Sequence, residues 1–173
     1  IIGVEKGTKK LNDYLKLPKE YVAEIRVGER RSTGDLEGVI LEEKVVESID
    51  EEEVKEILKG MIGTLTLPVS AYSAIKKDGV PFYKRARKAE KTGEVVEDVP
   101  LRDMQVTEAE LQSLACGNDR RVLTVRFYVG SGTYIRSLAE ELGKRLGYPA
   151  TLQNLRRTKI GDFKIEDARK LAE

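Results

Sequence analysis

In the run Gly130-Ser-Gly-Thr-Tyr-Ile-Arg136 an arginine stands where the first turn of a helix is expected. Gly130 and Gly132 interrupt the apolar strand Val122 to Val129, and Thr133 is a good N-cap for the amphipathic run that follows. A capping box would place Glu or Gln at position 136. Arg136 instead sets a fixed cation beside the positive end of the helix dipole. Two readings follow from this misplacement. Arg136 is a surface residue paired with Glu140 one turn on, or it holds an anion or carboxylate from the edge of the buried stripe Ile135, Leu138, Ala139, Leu142 and Leu146.

Other residues able to do chemistry are few. The chain has no histidine and a single cysteine, Cys116, so the commonest general base, a conventional zinc site and an internal disulfide are all excluded. Cys116 lies in Ala-Cys-Gly-Asn-Asp, which reads as a hairpin turn and not as a nucleophile's setting. Any catalysis must use carboxylate, tyrosine, lysine or a borrowed group. Tyr21, in Lys19-Glu-Tyr21, opens a strand on its apolar face, as a core residue or as a ring that stacks on a base or moves a proton. Asp35, in Thr33-Gly-Asp-Leu-Glu-Gly38, has the spacing of a turn residue that caps its own backbone, with catalysis as the lesser alternative. Three basic groups, Lys76-Lys77, Lys84 to Lys88 and Arg156-Arg157 with Lys159, have Tyr72, Phe82, Tyr83 and Tyr134 in or beside the set. Cations beside flat rings suit unstacked RNA bases and their phosphates.

The elements that must position these residues follow from periodicity. Tyr21 to Val27 alternates as a half-buried strand and reads as a hairpin with a second strand near Val39 to Val46. Ser48 and Asp50 open a helix with Val54, Ile57, Leu58 and Met61 on its apolar face. A short strand follows Gly63, then an irregular loop through Leu67 to Gly79 and a basic helix over Pro81 to Lys91. Strands are expected at Val95 to Val99, Leu101 to Leu111 and Val122 to Val129. The Thr133 helix comes next, then an apolar and basic stretch, Ala150 to Phe163, and a short helix around Asp167 to Ala172. Strands outnumber helices and follow one another directly, which predicts an α+β domain on a mainly antiparallel sheet.

With 173 residues, 40% hydrophobic and 35% charged, the chain is sized for one globular domain, 1–173. A net charge of +1 does not announce a nucleic-acid binder, so the local clusters carry that reading. No run approaches eighteen apolar residues and no secretory pattern opens the chain; a cytoplasmic protein without membrane contact is expected.

Together these residues resemble the TruB family of tRNA pseudouridine synthases, which isomerise uridine 55 in the T loop of tRNA. Four spaced motifs, in order, carry the likeness. They are Lys19-x-Tyr21 with Ile25-Arg-Val-Gly28 and Thr33-Gly-Asp-x-x-Gly38; Tyr72-Ser-Ala-Ile-Lys76-x-x-Gly79 with Tyr83 and Ala86-Arg87; Gly132-Thr-Tyr-Ile-Arg136-Ser-Leu with Leu142-Gly143; and Leu155-Arg-Arg-Thr158 with Gly161 and Phe163. The resemblance implies a pseudouridine synthase fold: a mixed, largely antiparallel sheet flanked by helices, with a central RNA-binding cleft. It implies that Tyr21 stacks on the target uracil and aids proton transfer, that Arg136 pairs with the catalytic aspartate, and that Leu155 walls the uracil pocket. Lys76, Lys84, Arg87, Tyr72, Tyr134, Arg156 and Arg157 would contact the T arm of tRNA. A monomer needing no metal or cofactor is implied. The nucleophilic aspartate of the family lies in a Gly-x-Leu-Asp-Pro motif expected immediately upstream of Ile1. The chain is therefore expected to be N-terminally truncated, to stop before a C-terminal RNA-binding domain, and to be inactive as it stands. Ser131, where some members carry lysine, and Val69-Ser70, where proline is frequent, depart from the pattern. A noncatalytic RNA-binding module and a guide-RNA-dependent relative acting on ribosomal RNA are the alternative readings.

Overall fold

The computed structural model describes residues 1–69, 76–77, 80–81, 99–116 and 120–169. Alternation of apolar and polar residues gives β1 (Lys19–Val27) one dry face, on which Ala23, Ile25 and Val27 are fully buried and Tyr21 packs at the margin of the core. On one side β1 pairs with β8 (Arg121–Val129), on the other with β9 (Ala150–Ile160), both antiparallel. β1 is thus an interior strand of a six-stranded sheet. Its order runs from β10 (Phe163–Lys164) through β9, β1 and β8 to β7 (Leu101–Cys116) and β4 (Gly63–Pro68), every pairing antiparallel. The α+β architecture on a largely antiparallel sheet is the one expected from the strand-rich order.

Two helices cover the dry face. Asp50 caps α2 (Glu51–Lys59) by accepting from the Glu53 amide at 2.9 Å, with three glutamates in the first turn and Lys59 in the last, as the dipole favours. Val54 and Leu58 bury against the sheet, beside Met61. The second, α3 (Ile135–Arg145), packs on β9 and buries Ile135, Leu138, Ala139 and Leu142, the stripe read from three-and-four spacing. A short α1 (Leu11–Leu15) precedes β1.

Some expectations need correction. β1 does not form a hairpin with the strand after it. The chain turns away at Gly28, and β2 (Glu29–Arg31) pairs with β3 (Ile40–Glu43) as a separate ribbon, because β8 and β9 already occupy both edges of β1. The apolar and basic stretch after Ala150 is strand, and a bulge in its pairing with β1 between Glu24 and Ile25 sets both Leu152 and Leu155 on the dry face despite their spacing of three. Near the C-terminus the described residues form a 3₁₀ turn, Ile165–Asp167, with extended backbone at Ala168, and the rest of the helix expected around Asp167 to Ala172 lies outside the described residues. Two short strands, β5 (Lys76–Lys77) and β6 (Val80–Pro81), pair with each other. The expected basic helix over 81–91 and the strand at 95–99 fall mostly outside the described residues, as do Tyr72, Lys84 and Arg87. Among the described residues no helix is long and apolar enough to cross a membrane.

Candidate functional site

Arg136 occupies the first turn of α3, and that turn contains no acidic residue. The residue preceding the helix is Tyr134, not Thr133, and no side chain caps the end. Thr133 is diverted from capping because its hydroxyl donates to the Gln105 carbonyl, at 3.4 Å, across the turn that leaves β8. Arg136 does not pair with Glu140. Its Nη2 forms an ion pair with Asp35 Oδ2 at 2.9 Å, and Nη1 donates to the Thr33 carbonyl at 3.5 Å. Of the two readings of this arginine, the structure selects the carboxylate holder. The acid lies within the chain, on a turn about a hundred positions away in sequence.

The turn between β2 and β3 is built to present that acid. Asp35 Oδ1 accepts from the Thr33 hydroxyl at 2.6 Å and the Glu37 amide at 3.2 Å, the backbone-capping role expected of a Gly-Asp turn. The other oxygen is left to Arg136, so the capping and ion-pair roles coexist on one side chain. Gly34 has φ +75°, and a Cβ there would sit 3.2 Å from Glu140 Oε1 and 3.3 Å from Arg136 Cβ. Only glycine fits this approach without strain. The Gly34 carbonyl also accepts from the Leu152 amide at 2.9 Å, which fastens the turn to β9.

Three residues further along β9 stands Leu155, opposite Ala23 of β1; Arg157 stands opposite Tyr21. Directly opposed residues of antiparallel strands share a face. Tyr21, Leu155 and Arg157 therefore lie on the same face as the helices. Leu155 remains 41% exposed, an apolar wall left open. Arg156 is opposite Val22 and belongs to the other face, so the Arg156-Arg157 pair is divided between two surfaces. Arg157 also lines a cavity of about 470 Å³ with Ile1, Ile2 and Phe163. Tyr134 is half-buried against the core at the start of α3. Lys76 lies in the β5–β6 ribbon, outside the main sheet.

Two further charged groups frame the site. Lys19 Nζ donates to the carbonyls of Leu15 (2.6 Å) and Leu17 (2.7 Å) and approaches Ser131 Oγ at 3.4 Å. It thereby ties the end of α1 to the glycine turn before α3. Burial, then the charge of Arg157, holds its ammonium below the ordinary lysine range. Glu140, behind Gly34, is pushed above the ordinary carboxylate value by burial, partly offset by Arg30. The sequence flagged Lys19 only as a neighbour of Tyr21, and Asp35 chiefly as a turn residue. Nothing in the sequence pointed Arg136 to Asp35, because Glu140 already offers it an acid one helical turn on. Among the described residues no group of three or more His, Cys, Asp or Glu side chains is placed to hold a metal.

Comparison with known proteins gives this geometry a setting. The family profile described as "TruB family pseudouridylate synthase (N terminal domain)" matches residues 1–135. The protein named tRNA pseudouridine synthase B of Cupriavidus taiwanensis is 37% identical over 167 residues, covering 96% of this chain and 51% of that protein. Its namesake in Corynebacterium efficiens is 36% identical, covering 100% of this chain and 57% of that protein. The chain thus spans little more than half the length of these curated relatives. Among solved structures, a chain of "Structure of H/ACA RNP bound to a substrate RNA containing 2'-deoxyuridine" matches 94% of this chain with a TM-score of 0.57 at 23% identity. A chain of "Crystal Structure of a Cbf5-Nop10-Gar1 Complex" matches with the same TM-score at 24% identity. At those identities the likeness is one of fold.

Proposed function

The chain belongs to the TruB family of pseudouridylate synthases, and on that premise we propose that the protein converts uridine 55 in the T loop of tRNA to pseudouridine. The observation that carries this reading is the Arg136–Asp35 pair at 2.9 Å, set at a helix N-terminus beside the strands that bear Tyr21 and Leu155. A pair this open to solvent, with Arg136 37% exposed, contributes about 1 kcal/mol or less to stability. Its value lies in orientation.

A base inside a folded loop cannot be reached in place, so the target uridine flips out of its stack. Tyr21 stacks on the uracil and Leu155 closes the pocket's side. An aspartate acts at the ribose, as nucleophile or base; the N1–C1′ bond breaks, the base turns, C5 bonds to C1′, and the C5 proton leaves with help from Tyr21. In the family that aspartate belongs to the Gly-x-Leu-Asp-Pro motif, which these 173 residues do not contain. Arg136 holds it ionised and in place. A guanidinium offers five donors in a rigid fork, more than Asp35 and the Thr33 carbonyl use. Asp35 fixes the fork's plane, and the rest of the fork faces the catalytic acid. Arg157, Lys76 and Tyr134, with Tyr72, Lys84, Arg87 and Arg156, serve the T arm. The protein acts as a cytoplasmic monomer in this reading.

Expressed as its gene encodes it and incubated with T-arm RNA, the protein should form pseudouridine at the target position, read by mass spectrometry of the digested RNA. Arg136→Lys keeps the charge but loses the fork, and should lower kcat by on the order of a hundredfold. A folded protein that binds the T arm in a salt-sensitive manner yet forms no pseudouridine would replace this reading with that of an RNA-binding module.

A further inference from the structure

Beneath the Asp35 turn lies a second charge cluster. Glu29, the first residue of β2, is fully buried, and three arginines converge on it. Arg31 Nε donates to Oε1 at 2.7 Å, Arg26 Nη1 stands 3.7 Å from the same oxygen, and Arg120 Nη1 reaches Oε2 at 2.5 Å as an ion pair without hydrogen-bond geometry. Burying such charges is costly, and apolar residues of similar volume would often stabilise a fold at least as well. What the cluster does supply is one fixed geometry for Arg31. From that anchorage Arg31 Nη1 donates to two carbonyls of the turn, Leu36 at 3.0 Å and Gly38 at 3.1 Å. The Arg31 carbonyl accepts from the Gly34 amide at 3.0 Å, one residue before Asp35. Arg31 thus grips the turn at both ends, while Asp35 projects from its middle to Arg136.

We propose that Glu29 and Arg31 are positioning residues: the buried carboxylate locks the Arg31 guanidinium, which holds the 32–38 turn so that Asp35 meets Arg136 at one orientation. The kinetic part of this inference rests on the pseudouridine synthase reading; the geometric part does not.

The test uses variants of the protein as its gene encodes it, with two readouts besides thermal stability: the Arg136 Nε–H resonance in NMR, and kcat and KM on T-arm RNA. In Arg31→Ala the Arg136 signal should shift, as the guanidinium loses its fixed orientation against Asp35. The kcat should fall by on the order of tenfold or more, with KM within about twofold. Combined with Asp35→Asn, Arg31→Ala should cost nothing further, because it acts through that residue. Arg31→Lys should recover thermal stability by restoring a charge opposite Glu29, but neither the Arg136 signal nor kcat, since an ammonium cannot span Glu29 and two carbonyls together. A purely structural role predicts the reverse, rescue of all three by lysine. An unchanged Arg136 signal in Arg31→Ala, additive losses with Asp35→Asn, or full rescue by lysine would each overturn the proposal. Should Arg31→Ala not fold, Arg31→Lys carries the same two readouts. Absence of pseudouridine from the unaltered protein would refute the functional reading, and the NMR comparison would still decide the clamp.

Discussion

Arg136 sits where the helix dipole opposes it, and what compensates is a carboxylate brought from another part of the chain. The anomaly was legible because dipole arguments are local: a cation in a first turn can be judged from a few neighbours. Its partner was not, because nothing in the spacing of Asp35 and Arg136 tells that the β2–β3 turn folds onto α3. Glu140 shows the same contact from the other side. It lies at helical spacing from Arg136, yet its carboxyl is pressed behind Gly34, where burial raises its proton affinity and Arg30 only partly opposes the shift. A carboxyl whose folded-state value lies above its ordinary 4.5 gives stability that is full below that value and is lost as pH rises through the folded value. Glu140→Gln removes the titration and keeps the shape. Its melting temperature should exceed that of the unaltered protein near neutral pH, and the two should converge at about pH 4. Thermal unfolding across that range checks this; a variant less stable at neutral pH would mean that Arg30 outweighs burial.

At the scale of elements, what could be read were the segments whose periodicity and packing agree. The α3 stripe is of this kind, since Leu138, Ala139 and Leu142 both favour the helix and bury it; in α2 the exposed acidic first turn suits the dipole while Val54 and Leu58 bury the opposite face. The β1 pairing could not be read, because its partners β8 and β9 are distant in sequence while β3 is near. Thr133 misled for a similar reason: its hydroxyl serves β7 in preference to the helix beside it. The seat of α3 on β9 is set by Gly143. A Cβ there would lie 2.3 Å from the Cβ of Ala150 and 2.8 Å from the Tyr148 carbonyl. Alanine would gain up to about 1 kcal/mol in helix propensity. The clash forces the helix off the strand, and such overpacking costs about 1–3 kcal/mol. Gly143→Ala should therefore destabilise the fold despite the better propensity, as a lower denaturation midpoint in urea with an unchanged slope would show.

For the molecule as a whole, the sheet order makes the site. Placing β1 between β8 and β9 sets Tyr21 beside Arg157 and Ala23 beside Leu155, while the β2–β3 ribbon and α3 bring Asp35 and Arg136 to the same side. Residues 21, 35, 136 and 155 share one side only through these long-range pairings. The same register divides a basic pair that the sequence presents as one cluster. Arg157 shares the face of Tyr21 and Leu155, whereas Arg156, opposite Val22, faces away. Both are exposed, so the fold should tolerate either change. If the T arm enters over the helix-covered face, Arg157→Ala should weaken its binding and reduce the salt dependence by about one released counterion, while Arg156→Ala should leave both nearly unchanged. Binding titrations of the two variants at several salt concentrations separate the cases. Equal losses from both would place RNA across the edge of the sheet, and a greater loss from Arg156 would move it to the opposite face, away from Arg136.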